Sequence, residues 1–338
     1  MTLVIDGAFG EGGGQILRTS LTVAAATGTP FRMTRIRARR SQPGLRRQHL
    51  AAVEAAAAVC DARVEGAVLG SQELLFLPDR IRAGTWTFRV GSAGSACLVL
   101  QTVLLPLLTA SGPSRVAVVG GTHNPGAPPF EFMDLAYLPL LRRMGARVRM
   151  ELLRAGFAPG GGGRIEVQLA PVHALTSLHL IERGALLGYD GRALLSLLDD
   201  RIAQRELAVV SRELGWPPDR LRIERVAGDG PGNALVLELR SEHISEVFTT
   251  FGQRGIPAES VAMEAVRAVR DYLSCQAPVG PYLADQLLLP LALGAGGTFR
   301  TVRSTPHLRT NSAILELLLG VAITMRDLDT AVEVCVRN

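Results

Sequence analysis

Apolar residues in this chain gather into short dense runs that alternate with glycine. The densest are Leu98–Leu108 and Leu287–Leu293. Both are too short and too interrupted to span a bilayer. Such a run, followed by glycine and then by β-branched or aromatic residues, predicts a buried helix, a left-handed cap and a strand. Leu21–Arg35 (LTVAAATGTPFRMTR) and Leu105–Val119 (LPLLTASGPSRVAVV) both read this way. Upstream, the short strand pattern Leu3-Val4-Ile5 leads into glycines and then a helix that carries Arg18.

The pattern repeats at fixed spacing. Gly28 and Gly112 lie 84 positions apart (112 − 28 = 84), as do Gly10 and Gly94, and Ala62-Arg63-Val64 and Ala146-Arg147-Val148. A third copy follows: Gln101 and Pro106 correspond to Asp285 and Pro290 at an offset of 184 (285 − 101 = 184), and Gly112 to Gly296 at the same offset. The excess spacing is the size of a small domain. The sequence therefore predicts an α/β fold built from three repeats of a two-helix, four-stranded-sheet unit with pseudo-threefold symmetry, plus one inserted smaller α/β domain. The expected divisions are 1–181 for the first two repeats, 182–275 for the insert and 276–338 for the third repeat. Inside the insert the patterns predict helices at Ala193–Glu213 and Ala258–Ser274 and strands at Leu221–Val226 and Ala234–Leu239.

Composition narrows the chemistry. The 36 residues counted as Lys plus Arg are all Arg, with net charge +5. Without Lys there is no Schiff-base lysine, no P-loop or kinase-type lysine and no lysyl-adenylate. Cys60, Cys97, Cys275 and Cys335 form no CxxC pair, so neither a zinc ribbon nor a dithiol redox motif is expected. Scattered cysteines and an N-terminus of glycines and an acid, where a signal peptide would be apolar, point to a cytoplasmic protein.

Three groups of residues can carry chemistry. The turn Gly7–Gly14, before the helix of Arg18, offers free backbone N–H groups to an anion. It equally suits a helix cap with a dipole-favoured acid, Glu11. Gly91–Ser95 and Val279–Tyr282 are its second and third copies. Seven arginines between Arg32 and Arg47, around the turn at Pro43-Gly44, suit a phosphate backbone or end, or a solvated basic loop. His307, in a strand-to-helix loop, has the chemistry of an acid, base, ligand or nucleophile. His123 occupies the equivalent place in the second repeat (307 − 123 = 184), so spacing alone offers two candidates.

The chain resembles the RNA 3′-terminal phosphate cyclases. The resemblance rests on Asp6–Arg18 (DGAFGEGGGQILR), Ile36–Arg40, Pro43–His49 (PGLRRQH), Gly91–Ser95, Gly120-Gly121-Thr122 with Asn124-Pro125, Ala127–Pro129, Asp229–Asn233, Tyr282–Gln286, and His307 with Thr310-Asn311. It implies three units like the C-terminal domain of translation initiation factor three, with an inserted α/β domain. It also implies an ATP-dependent, ligase-type conversion of an RNA 3′-phosphate to a 2′,3′-cyclic phosphate. AMP would be carried first on His307 and then on the RNA end, and pyrophosphate and AMP released. By position, Glu11 matches the acid that holds Mg²⁺ or Mn²⁺ at the ATP phosphates. Gln101, Pro128, Tyr282, Asp285 and Gln286 match the nucleotide cleft. Arg18, Arg37, Arg40, Arg47, Gln48 and His49 match the positions that hold the RNA end. No membrane or obligate protein partner is implied. Arg39 departs from the family pattern, where a glycine is expected. Two other readings share the architecture: a non-catalytic cyclase-like protein of ribosome assembly, and an enolpyruvyl transferase, whose chemistry commonly employs the lysine absent here.

Overall fold

The computed structural model describes residues 2–338. Its first stretch runs β1 (Leu3–Asp6), α1 (Gly14–Thr27), β2 (Phe31–Thr34), α2 (Arg47–Cys60), β3 (Arg63–Glu65) and β4 (Leu74–Leu77). The second runs β5 (Thr85–Arg89), α3 (Ala96–Leu108), β6 (Ser114–Gly120), α4 (Phe130–Phe132), a π-helical turn into α5 (Leu138–Arg143), then β7 (Arg147–Arg154) and β8 (Gly163–Ala170). After β9 (Leu178–Leu180) come β10 (Leu186–Ser196), α6 (Asp200–Leu214), β11 (Leu221–Arg225), β12 (Gly232–Ser241), β13 (Ser245–Phe251) and α7 (Ala258–Leu273). The chain closes with α8 (Pro281–Leu293), β14 (Gly297–Thr301), α9 (Pro306–Leu319), β15 (Ala322–Asp327) and β16 (Val332–Arg337).

The protein is α/β, with four mixed four-stranded sheets. Three share one strand order: β1-β2-β4-β3, β5-β6-β8-β7 and β9-β14-β16-β15. In each, the first pair is parallel and the others antiparallel. A parallel pair requires a crossover, and α1, α3 and α8 lie in the three crossovers. The β9–β14 crossover also contains β10 through α7.

The helices stay helical for a tertiary reason. Every residue of α3 is buried except Gln101, so the helix is held by burial on all sides and not by one apolar stripe. α1 packs on α2, α3 and α9, and α9 packs on α8. Gly28 and Gly320 close α1 and α9 in the left-handed region, at φ 73° and 68°, where glycine pays no Cβ penalty. The expected cap at Gly112 does not form. α3 ends earlier, at Thr109, in a turn tightened onto Pro106 and Leu107.

The segment Ala193–Leu198, expected to open a helix, is instead the end of β10 and its exit. Its apolar run is central to the sheet β11-β10-β12-β13 and buried on both faces, which periodicity cannot distinguish from a buried helix. Leu195 and Leu237 face a core formed with Leu207, Val210 and Val266, while their neighbours Leu194 and Val236 face the main core. This period-two split seats the sheet against the rest of the molecule. Asp199 then caps α6, its side chain accepting from Arg201 N–H at 2.8 Å. No helix among the described residues is long and apolar enough to cross a membrane.

Candidate active site

The glycine turn of the first stretch and the histidine loop of the last meet at the N-terminus of α9. Gly10 adopts φ 53° and Gly12 φ 57°. A side chain at Gly10 would collide with Thr310 Oγ1, so glycine is what lets the turn sit on α9. Below the turn the helices are pinned by buried polar contacts. Thr19 Oγ1 donates to Asn311 Oδ1 at 2.7 Å, Asn311 Nδ2 donates to the Asp285 carbonyl at 3.2 Å, and Thr305 Oγ1 donates to Asp285 Oδ1 at 2.9 Å. Thr305 also caps α9, accepting from Leu308 N–H.

His307 therefore projects from a fixed helix start. Its Nδ1 lies 2.9 Å from Gln15 Oε1 and 2.5 Å from Glu11 Oε2. Both neighbours are acceptors, so the proton of Nδ1 is the one they address. Nε2 makes no hydrogen bond among the described residues, and the side chain is 49% exposed.

His123 is built the opposite way. Its Nδ1 pairs with Thr122 Oγ1 at 2.8 Å and its Nε2 with Glu131 Oε2 at 2.9 Å. Its ring stacks on Phe157 at 4.9 Å, and the side chain has no exposed surface. Burial alone would raise the Glu131 carboxyl, but the charge and hydrogen bond of His123 outweigh it and hold it below its ordinary value. The spacing leaves two histidines open; accessibility leaves only His307 free to meet a substrate. His123→Gln is expected to cost about 1–3 kcal/mol of stability by breaking buried hydrogen bonds. It should leave the exposed ring of His307 undisturbed, so its effect should appear in denaturant melts alone.

A basic cradle surrounds the start of α1, whose N-terminus has no side-chain cap. Arg40 Nη2 lies over Gly13, and a side chain at Gly14 would run into His49 Nε2 and Arg18 Nη1. Burial lowers the Arg18 guanidinium to about 10, which leaves it charged at neutral pH. Burial, joined by the charges of Arg18, Arg37 and Arg46, lowers His49 to about 3. His49 is thus neutral, and its Nδ1 accepts the Arg46 N–H at 3.0 Å. The remaining proton sits on Nε2 and faces the cradle. Backbone N–H groups, two guanidiniums and an imidazole N–H together suit a phosphate.

The other basic candidates stand around this centre. Arg37 donates to the carbonyls of Gln42 and Gly44, so it shapes the arginine loop from within. Gln48 Oε1 accepts from Ser95 N–H at 2.7 Å, and Arg47 Nη1 donates to the Gly91 carbonyl at 2.9 Å. These contacts tie the start of α2 to the second glycine turn. On the α8 side, Gln101 Nε2 donates to Gln286 Oε1 at 2.6 Å. Burial, with the nearby charge of Glu11, pushes the Asp285 carboxyl up to about 7 against the opposing Thr305 bond. Tyr282 is 74% exposed on the first turn of α8. Pro128 is half-buried just before α4.

Residues 9–325 match the family described as RNA 3′-terminal phosphate cyclase. The chain belongs to that family. Among its relatives is the RNA 3′-terminal phosphate cyclase of Ralstonia nicotianae, 51% identical over 323 residues, which are 95% of this chain and 93% of the relative. That of Koribacter versatilis is 48% identical over 326 residues, covering 96% and 92%. That of Pseudomonas fluorescens is 51% identical over 329 residues, covering 97% and 95%.

Within this cyclase-family chain, two residues near the site carry no signal in the sequence. Gln15 lies inside the quoted glycine segment, but nothing in its spacing says that it reaches His307. Glu246, on β13, accepts the Gly280 N–H at 2.5 Å at the start of α8. An acid in a strand pattern gives no sign of such burial. Burial pushes Glu246 up to about 8 from an ordinary 4.5. The native state therefore holds a proton that the unfolded chain releases, and this stabilisation is lost as pH rises towards 8. The melting temperature is expected to fall between pH 6.5 and 8.5, and to fall less in Glu246→Gln. Equal slopes would refute the assignment.

Proposed function

We propose that this chain is an ATP-dependent RNA 3′-terminal phosphate cyclase with His307 as its nucleophile. The observation that carries the reading is the setting of the His307 ring: Nδ1 faces the acceptors of Gln15 and Glu11, and Nε2 has no protein partner among the described residues. Nε2 attacks the α-phosphorus of ATP, the bond to the bridging oxygen breaks, and pyrophosphate leaves. An oxygen of the RNA 3′-phosphate then attacks that phosphorus and displaces the histidine, giving RNA-(3′)pp(5′)A. The vicinal 2′-OH attacks the 3′-phosphorus, loses its proton and expels AMP, which closes the 2′,3′-cyclic phosphate. Activation is needed because a phosphate monoester has no good leaving group. Ring closure gains from the fixed proximity of the 2′-OH.

In this reading Arg18, Arg40 and the His49 N–H receive the RNA 3′-phosphate, with Gln48 and Arg47 beside them and Arg37 setting the loop. Tyr282 and Pro128 supply an apolar wall for adenine. Asp285, Gln286 and Gln101 line the nucleotide cleft. The three sheets of equal order are three copies of one unit, whose glycine turns converge on the site.

A divalent cation, Mg²⁺ or Mn²⁺, fits Glu11. Its Oε2 is buried without a hydrogen bond of good geometry, and Asp285 is close enough to feel its charge. Among the described residues no group of three His, Cys, Asp or Glu could hold a metal alone, so phosphate oxygens would complete the shell. When bound, the ion would neutralise charge on the triphosphate.

The test is product analysis. An RNA ending in a 3′-phosphate, incubated with the protein, ATP and Mg²⁺, is expected to become resistant to phosphatase and to carry a 2′,3′-cyclic end. A 3′-phosphate that stays phosphatase-sensitive at stoichiometric enzyme would overturn the reading.

A further inference from the structure

We infer that a groove beside the arginine loop seats the next-to-last nucleoside of the RNA. The inference rests on the assignment of the RNA 3′-phosphate to the α1 cradle. The groove encloses about 220 Å³ and is lined by Arg47, Leu50, Glu54, Leu69, Arg89 and Gly91, among others. Leu69 and its neighbour Val68 are 59% and 63% exposed at the tip of the β3–β4 loop. This tip is built onto the arginine loop: Gly70 N–H donates to the Leu45 carbonyl, Leu45 N–H to Ser71, and Ile36 N–H to Gln72. Any side chain at Gly44 would collide with the Gly70 carbonyl. The apolar tip and the basic loop are therefore one rigid unit.

The groove also continues from the cradle. Along the first turn of α2, His49 faces Gly14, Gln48 binds Ser95, and Arg47 reaches the Gly91 carbonyl at the groove itself. A strand whose last phosphate lies in the cradle can leave along this row. The leucines then offer an apolar platform to one unstacked base, and Arg47 and Arg89 face its phosphate. Glu54, one turn after Leu50, accepts from a base amino group or a ribose hydroxyl and repels a second phosphate. These features select a single nucleoside over a polyphosphate.

The experiment uses the full chain and an oligoribonucleotide 3′-phosphate whose penultimate nucleotide is either intact or abasic. Leu69→Ala and Arg89→Ala are compared with wild type, and Arg267→Ala, an exposed arginine on α7, is the charge control. Wild type is expected to bind RNA about fivefold more weakly, read as a higher KM, when the base is removed, a loss at the low end for a base platform. Leu69→Ala should show that loss with intact RNA and be indifferent to the abasic site. Arg89→Ala should raise the RNA KM more than Arg267→Ala does. ATP-dependent labelling of the protein should be unchanged in all three variants. An abasic effect of equal size in Leu69→Ala, or an Arg89→Ala no different from the control, would overturn the groove. Wild type that labels with ATP but cyclises neither RNA would overturn the cradle assignment, and the groove with it.

Discussion

His307→Ala is expected to take up no covalent AMP from α-labelled ATP and to form no cyclic ends, a loss to background. The fall should be this steep because the chain contains no lysine and the equivalent histidine, His123, has both ring nitrogens engaged in the core. His49, the other histidine nearby, has Nδ1 engaged by the Arg46 N–H and its proton on Nε2. His307→Asn is the sharper variant, since it keeps a polar side chain near Gln15 while removing Nε2. Both variants should melt close to wild type, because the ring is half exposed. Labelling of either at more than a few per cent of the wild-type rate would move the nucleophile elsewhere.

Glu11→Ala is expected to produce the second largest loss. The buried Oε2 of its carboxylate lies 2.5 Å from His307 Nδ1. Its removal takes away the group that steadies the charge developing on the imidazole, and the carboxylate assigned to the divalent cation. Partners of this kind contribute about 10–100-fold each, and loss of charge neutralisation on the triphosphate adds to that. Single-turnover labelling should slow by about 100-fold or more, equivalent to about 2.7 kcal/mol. Treating wild type with EDTA should do the same, and Mg²⁺ or Mn²⁺ should restore it. Labelling within threefold of wild type in Glu11→Ala would remove Glu11 from the chemistry.

Much of this architecture is legible in the sequence because it depends on backbone requirements. Of the glycines at offsets of 84 and 184, Gly10, Gly28 and Gly296 take positive φ in turns and caps while Gly112 does not, and the apolar runs between them form crossover helices. The misreading at Ala193–Leu198 has a definite cause. A strand buried on both faces loses its period-two signature, and the exit turn at Leu197 (φ 51°) carries no glycine to announce it. The choice between His123 and His307 has another cause. One offset of 184 relates the two, and only the partners, Glu131 and Phe157 for one, Gln15 and Glu11 for the other, separate a core histidine from an accessible one. Those partners come from distant segments, as Glu246 does at α8. The Nη1 contacts of Arg37 with its own loop are likewise unannounced by its place in the arginine cluster.

The most direct test of the central claim is mass spectrometry of the intact protein after incubation with ATP and a divalent cation, followed by peptide mapping at neutral to alkaline pH, where a phosphoramidate survives. A mass increase of one AMP, confined to the peptide that holds His307 and attached through Nε2, is the predicted result. An unmodified protein that nevertheless forms cyclic RNA ends, or AMP found on any other peptide, would contradict it.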